Sequence, residues 1–138
     1  MSAGKIPSFL SASTFAVVGA SNRREKFGNK VLRCYIQHGK KAIPINPREE
    51  EIEGLPCLAN ISLLTFPSET AVSVITPPAV TVGVLEEAAK LGIKHVWLQP
   101  GCESPEVIAT AERVGLLPTL IFGGPCVLVE LGFEGRGH

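Results

Sequence analysis

The residues best suited to chemistry in this chain are small and basic rather than acidic. Gly19-Ala20-Ser21-Asn22 follows the apolar run Phe15-Ala16-Val17-Val18, and Arg23, Arg24 and Lys26 come before Gly28. Small residues let backbone amides approach a pyrophosphate, and the N-terminus of a following helix adds partial positive charge. Three cations beside such a cradle suit a ligand with several phosphates. The Gly-x-Gly-x-x-Gly fingerprint is not met, because Ser21 and Arg24 take its second and third glycine positions. An ordinary glycine turn with a solvated charge run accounts for the same residues. Gly28 opens the buried stripe of the next helix, where it allows close packing on the strand.

A second cluster, Asn46-Pro47-Arg48, ends the apolar run Ala42 to Ile45. An NAD site places an acidic side chain there to accept from the ribose hydroxyls. This chain offers Arg48 instead, which suits a phosphate on the ribose, as in NADP or the 3′-phosphate of coenzyme A. The residues argue against NAD and leave the other two open. Glu49, Glu50 and Glu51 are expected to be solvated beyond the proline turn.

All 13 acids are glutamate, so Asp-rich calcium loops, Asp metal clusters and a Ser-His-Asp triad are excluded. Cys34, Cys57, Cys102 and Cys126 include no Cys-x-x-Cys pair, which disfavours a metal site or a disulfide framework. Cys102 and Cys126 each follow a strand end. A free cysteine is usually an inert small hydrophobe, and a mixed disulfide with a ligand thiol is the sharper hypothesis for these two. His38 reads as a helix-end donor, His95 as the solvated start of a strand and His138 as a disordered terminus. No His-plus-acid or Cys-plus-His spacing stands out, so no catalytic residue is assigned.

Five strand-like runs must position these clusters: 15–18, 42–45, 71–75, 95–98 and 119–122. They are near-continuously apolar, the pattern of strands covered on both faces. Helices are expected over 28–38, 79–91 and 105–114, the last opened by Ser104-Pro105-Glu106. Gly28, Leu32, Tyr35 and Ile36 are expected to face the core, as are Val80, Val84, Leu85 and Ala88. The segment 52–67 allows one or two helical turns near Ile61 to Leu64. The fold class is therefore α/β: a single doubly wound, Rossmann-like domain over 1–138 with helices on both faces of a parallel five-stranded sheet, three layers αβα. Ligands of such sheets bind beyond the carboxyl ends of the strands. Gly19-Ala20-Ser21, Asn46-Pro47, Thr76-Pro77-Pro78 and Gln99-Pro100-Gly101 all lie at such ends.

A formal net charge of zero excludes a general nucleic-acid or anionic-membrane binder. No apolar run reaches the roughly 18 residues of a membrane span. Pro7 breaks the stretch Ile6 to Leu10, so no signal peptide is expected; the widely spaced cysteines read as reduced thiols of a cytoplasmic protein.

The motifs Val18-Gly19-Ala20-Ser21, Lys26-x-Gly28, Pro44-Ile45-Asn46-Pro47, Ile52-x-Gly54, Thr76-Pro77-Pro78, Glu87-Ala88, Gly92-x-Lys94 and Val96-Trp97-x-Gln99-x-Gly101 resemble the stand-alone CoA-binding domain proteins. These are similar to the N-terminal domain of the succinyl-CoA synthetase alpha subunit and of NDP-forming acyl-CoA synthetases. The match covers about residues 9–132. It implies strand order 3-2-1-4-5 and a bound CoA or acyl-CoA. By this resemblance Gly19, Ala20 and Ser21 hold the pyrophosphate, with Arg23 and Lys26 beside it. Asn46 and Pro47 shape the ribose and 3′-phosphate region with Arg48. Thr76 and Pro77 border the adenine, and Gln99 and Gly101 line the mouth nearer the pantetheine. The family's arginine-cysteine pair is replaced here by Pro125-Cys126, while Glu130 keeps its spacing from Cys126. The implied function is CoA binding without independent catalysis. The alternatives are a partner-dependent component of an acyl-CoA synthetase or acyltransferase, with the protein partner unidentified, and an NAD(P)-binding redox module.

Overall fold

Two central strands are buried along their whole length, and the domain is built outward from them. The computed structural model describes residues 4–133; the expectation for His138 lies outside them. Strand β1 (Thr14–Val18) pairs in parallel with β2 (Ala42–Ile45) on one side and with β5 (Thr70–Val74) on the other. Strand β6 (Val96–Leu98) extends the sheet beyond β5. Between β2 and β5 lies a small antiparallel hairpin, β3 (Glu51–Ile52) and β4 (Leu55–Pro56). Helices α1 (Lys5–Leu10), α2 (Phe27–Gln37), α3 (Pro78–Lys90), α4 (Pro105–Arg113) and α5 (Val127–Leu131) complete the fold. Ser104 caps α4 as its sequence predicts, accepting from Val107 N–H at 3.2 Å.

Because side chains alternate along a strand, each strand feeds two cores. Phe15, Val17, Ala71 and Trp97 join Phe9, Leu32, Tyr35 and Val127 on the α1, α2 and α5 face. Ala16, Val18, Val72, Val74, Val96 and Leu98 meet Leu85, Ala88, Val107 and Ala111 on the α3 and α4 face. The result is the expected three-layer αβα domain. Trp97 is fully buried, edge-on to Phe9 at 5.2 Å between ring centroids, and its Nε1 donates to Pro125 O at 2.9 Å.

The strand count and order need correction. The sheet has four strands, ordered β2-β1-β5-β6, and the third apolar run lies next to β1 rather than outside β2. The outer position is held by Leu58 alone, bridged to Ile45, and the fifth run contributes only Ile121, bridged to Trp97. Pro56 and the Asn60 cap of a 3-10 turn (Ile61–Leu63) flank Leu58. A 3-10 turn (Leu117–Thr119) and Gly123-Gly124-Pro125 confine Ile121 in the same way. Counted in chain order with these two bridges, the sheet runs 3-2-1-4-5-6. The chain's direction of travel reverses between β1 and β5, and in open α/β sheets such a reversal opens a crevice at the strand ends.

Two side-chain expectations also fail. Ile36 is 40% exposed and Val80 is 52% exposed, so neither belongs to the core. His38, in contrast, acts as the expected helix-end group, its Nδ1 lying 2.9 Å from Cys34 O; His95, read as a solvated strand start, is instead half-buried just before β6.

Burial in α2 raises the Cys34 thiol to about 11 and pushes the Tyr35 phenol above its ordinary value as well. A thiol raised in the fold stabilises it at pH values below its unfolded pKa, near 9, and loses that contribution as pH rises through 11. Urea midpoints should therefore fall between pH 9 and 11, with roughly 2 kcal/mol of the loss due to Cys34. The Cys34→Ala variant should show a shallower decline over that window. An unchanged slope would mean that the thiol is hydrated in the folded state.

Candidate functional site

The Gly19 to Lys26 loop is shaped by backbone packing before any ligand enters. Gly19 has φ +98°, and a Cβ there would sit 2.0 Å from Ile75 O. Gly28, in the first turn of α2, lies so close to the loop that a Cβ on it would sit 2.0 Å from Gly19 O. The two glycines let helix, loop and sheet stack in direct contact, as the sequence predicts for Gly28.

Asn46 then ties the ends of β1 and β2 together. Its Nδ2 donates to Ala20 O at 2.8 Å, while its Oδ1 accepts from Arg48 N–H at 2.7 Å. An aspartate could make only the second of these bonds. Thr76 Oγ1 lies 2.7 Å from Thr81 Oγ1, which fastens the end of β5 to the first turns of α3.

Between these strand ends lies a cleft of about 520 Å³, lined by Gly19, Asn46, Pro47 and Thr76 from the predicted set. Its volume falls in the range of small-molecule sites, roughly 300–1,000 Å³. Its walls come from residues that local patterning assigned elsewhere. Val80, Gly83, Val84 and Glu87 form one stripe of α3, facing Asn60, Ile61 and Ser62 of the 3-10 turn. Asn60 Oδ1 accepts from Ser62 N–H at 2.9 Å and also from Ser62 Oγ, which fixes that wall. A signal was present in Gly83: glycine inside a helix interior costs stability and usually has a packing or functional reason.

The other predicted residues lie around or away from this cleft. Ala20 is buried, and Ser21 Oγ accepts from Arg23 N–H at 3.0 Å. Arg23 is exposed and pairs with Glu25 at 2.8 Å, while Arg24 pairs with Glu53 at 3.1 Å. Lys26 and Arg48 are exposed on the loops after Gly19 and Asn46, and Pro77 is exposed at the N-cap of α3. Gln99 points toward α5: it is fully buried, and its Oε1 accepts from Val127 N–H at 3.0 Å. Gly101 is exposed, and neither it nor Gln99 lines the cleft. The expectation that Glu49 to Glu51 are merely solvated is corrected for Glu49 alone, whose Oε1 accepts from Asn22 Nδ2 at 2.8 Å. Glu50 and Glu51 are exposed, and Asn22 Nδ2 also donates to the backbone Glu51 O at 3.1 Å.

Cys102 is 3% exposed, its Sγ 3.2 Å from Val74 O, and burial raises its thiol pKa. Such a thiol is a poor nucleophile. Cys126 is half-buried at the N-cap of α5. Among the described residues, no helix is long and apolar enough to cross a membrane.

A doubly wound αβα domain with a cleft at the reversal of its strand order defines a Rossmann-like nucleotide-binding class. Residues 13–132 match the family described as the CoA binding domain, and the chain belongs to that family. It is 32% identical over 131 residues to the alpha subunit of an ADP-forming acetate–CoA ligase II from Pyrococcus furiosus, a match covering 86% of this chain and 28% of that protein. The chain thus spans less than a third of the length of the curated relatives it matches. A conserved hypothetical protein from Pyrococcus furiosus has a TM-score of 0.78 at 36% identity, covering 85% of this chain and 97% of its own. A dinucleotide-forming acetyl-coenzyme A synthetase from Ca. Korarchaeum cryptofilum has a TM-score of 0.65 at 29% identity, covering 75% of this chain and 25% of its own.

Proposed function

We propose that the protein binds coenzyme A or an acyl-CoA in the cleft between the ends of β1, β2 and β5, and has no catalytic activity of its own. The observation that carries this reading is the cleft itself: an apolar slot between Ile61 and the Val80–Val84 stripe, opening at the Gly19 loop. Its chemistry suits a flat base in the slot and phosphates at the glycine loop. Gly19 N–H donates to Ile45 O at 3.2 Å, so the backbone amides of Ala20 and Ser21 would take the pyrophosphate, with the exposed side chains of Arg23 and Lys26 beside it. Arg48, next to Asn46 and Pro47, would take the 3′-phosphate. Asn46 stands where an NAD site needs a carboxylate, and its amide is committed to Ala20 O.

Thermal unfolding with CoA, dephospho-CoA, NAD and NADP tests the assignment. At 100 times its dissociation constant a ligand should stabilise the fold by roughly 2.7 kcal/mol, on the order of 8 °C in Tm for a domain of this size. CoA should give the largest shift and dephospho-CoA a clearly smaller one, through loss of the 3′-phosphate contact. A shift with NAD equal to that with CoA would overturn the reading. Turnover of ATP, CoA and a carboxylic acid by the chain alone would overturn its non-catalytic part.

A further inference from the structure

Among the described residues, Glu53 is the one non-glycine residue with a left-handed backbone, φ +51°. It precedes Gly54 (φ +79°) in the two-residue turn between β3 and β4. Two successive positive φ values make a type I′ hairpin turn, whose first position favours asparagine, aspartate or glycine. Glutamate is a poor choice there, because its Cβ crowds the backbone in this conformation. A residue kept in an unfavourable conformation points to work done by its side chain.

That work is visible in its contacts. The Glu53 carboxylate accepts from Arg24 Nε at 3.1 Å and from Asn29 Nδ2 at 3.0 Å. Asn29 is fully buried, and its Nδ2 also donates to Ser21 O at 2.8 Å. Asn29 Oδ1 accepts from Arg33 Nε at 2.7 Å, and Arg33 in turn donates to Arg24 O at 2.9 Å. Burial lowers the Arg33 pKa, and the negative charge of Glu53 opposes that shift. A second strap joins Asn22 to Glu49 and to the backbone of Glu51. The hairpin has a firm base, because Ile52 is fully buried in the α2-side core. Both straps converge on residues 21–24, the loop that leads from the β1 end into α2.

We infer that Glu53 is a positioning residue of the ligand site. From a fixed, strained hairpin it holds Arg24 and, through Asn29, the Ser21 carbonyl, so that the Ala20 and Ser21 amides are set for an anion before one arrives. Preorganisation of this kind raises affinity by reducing the ordering cost of binding. The inference rests on the reading that the Gly19 loop takes the CoA pyrophosphate.

Its test is the pair Glu53→Gly and Glu53→Gln, each compared with the parent protein in CoA titration, thermal unfolding and amide hydrogen exchange. Glu53→Gly removes the carboxylate and relieves the backbone conflict. Its Tm should stay level or rise, its CoA affinity should fall about tenfold, and amides 21–26 should exchange about tenfold faster. Glu53→Gln keeps an acceptor of the same length and should recover part of the affinity. A Glu53→Gly protein that binds CoA like the parent, or whose affinity falls only in step with its Tm, would overturn the inference. If the parent itself fails to bind CoA, the functional proposal falls instead, and unchanged exchange at 21–26 would then separately reject the positioning role.

Discussion

Replacing Gly28 with alanine should destabilise the domain by about 3 kcal/mol or more, although the same change in an isolated helix stabilises it by about 1 kcal/mol. The sign is set by geometry. The new Cβ would lie 2.0 Å from Gly19 O and 2.9 Å from Gly19 C, both backbone atoms that cannot rotate away. Nor can Gly19 retreat, since its own Cα faces Ile75 O so closely that a Cβ there would sit 2.0 Å from it. Helix α2 would have to lift from the sheet by an ångström or so, loosening the contacts of Val31, Leu32 and Tyr35, all fully buried. That lift would also pull Asn29 from Ser21 O, so the loop should lose its response to CoA along with its stability. Urea unfolding of the variant checks the claim. A cost under about 1 kcal/mol would mean that α2 can draw back from the Gly19 backbone without loosening its core contacts.

Gly28 was legible in the sequence because one local pattern, a glycine at the head of an apolar stripe, has one physical use. The parallel strands were legible for a similar reason: burial on both faces leaves continuous apolar runs such as Ala71 to Ile75. The sheet order was harder. Leu58 contributes a single bridge, too little to leave a period in the sequence. The apolar run 119–122 overstates a strand that narrows to one bridge at Ile121, so local pattern does not fix the outer positions of the sheet. Val80 and Val84 show a deeper ambiguity. Periodicity reveals that a helix face is apolar, yet the wall of an open nucleotide cleft has the same pattern as a face on the core. The Glu53 network was invisible for another reason. The bonds that tie the hairpin to the loop join residues 24–29 apart, and a Glu-Gly pair does not advertise a type I′ turn as Asn-Gly would. The glycine loop and the Asn46 end were read from residue type alone, whereas the opposing wall at Asn60 to Ser62 depended on how a short irregular segment folds back.

That opposing wall makes Gly83 the place to separate ligand binding from stability. Gly83 lies inside α3 without positive φ, and a Cβ there meets nothing within 4 Å. Alanine at this site should therefore raise stability by roughly 0.5–1 kcal/mol through helix propensity. Leucine at the same site gains similar helical preference but projects its branched end into the cleft opposite Ile61, where the base is proposed to lie. Gly83→Leu should weaken CoA binding by about 100-fold or more, roughly 2.7 kcal/mol, with no fall in the Tm of the unliganded protein. Since propensity and occlusion push in opposite directions, global unfolding cannot account for such a result. Titration of the two variants alongside the parent should give a graded loss, small for alanine and near complete for leucine. Equal CoA affinity in all three would place the ligand outside this cleft, because a filled slot cannot also hold a base.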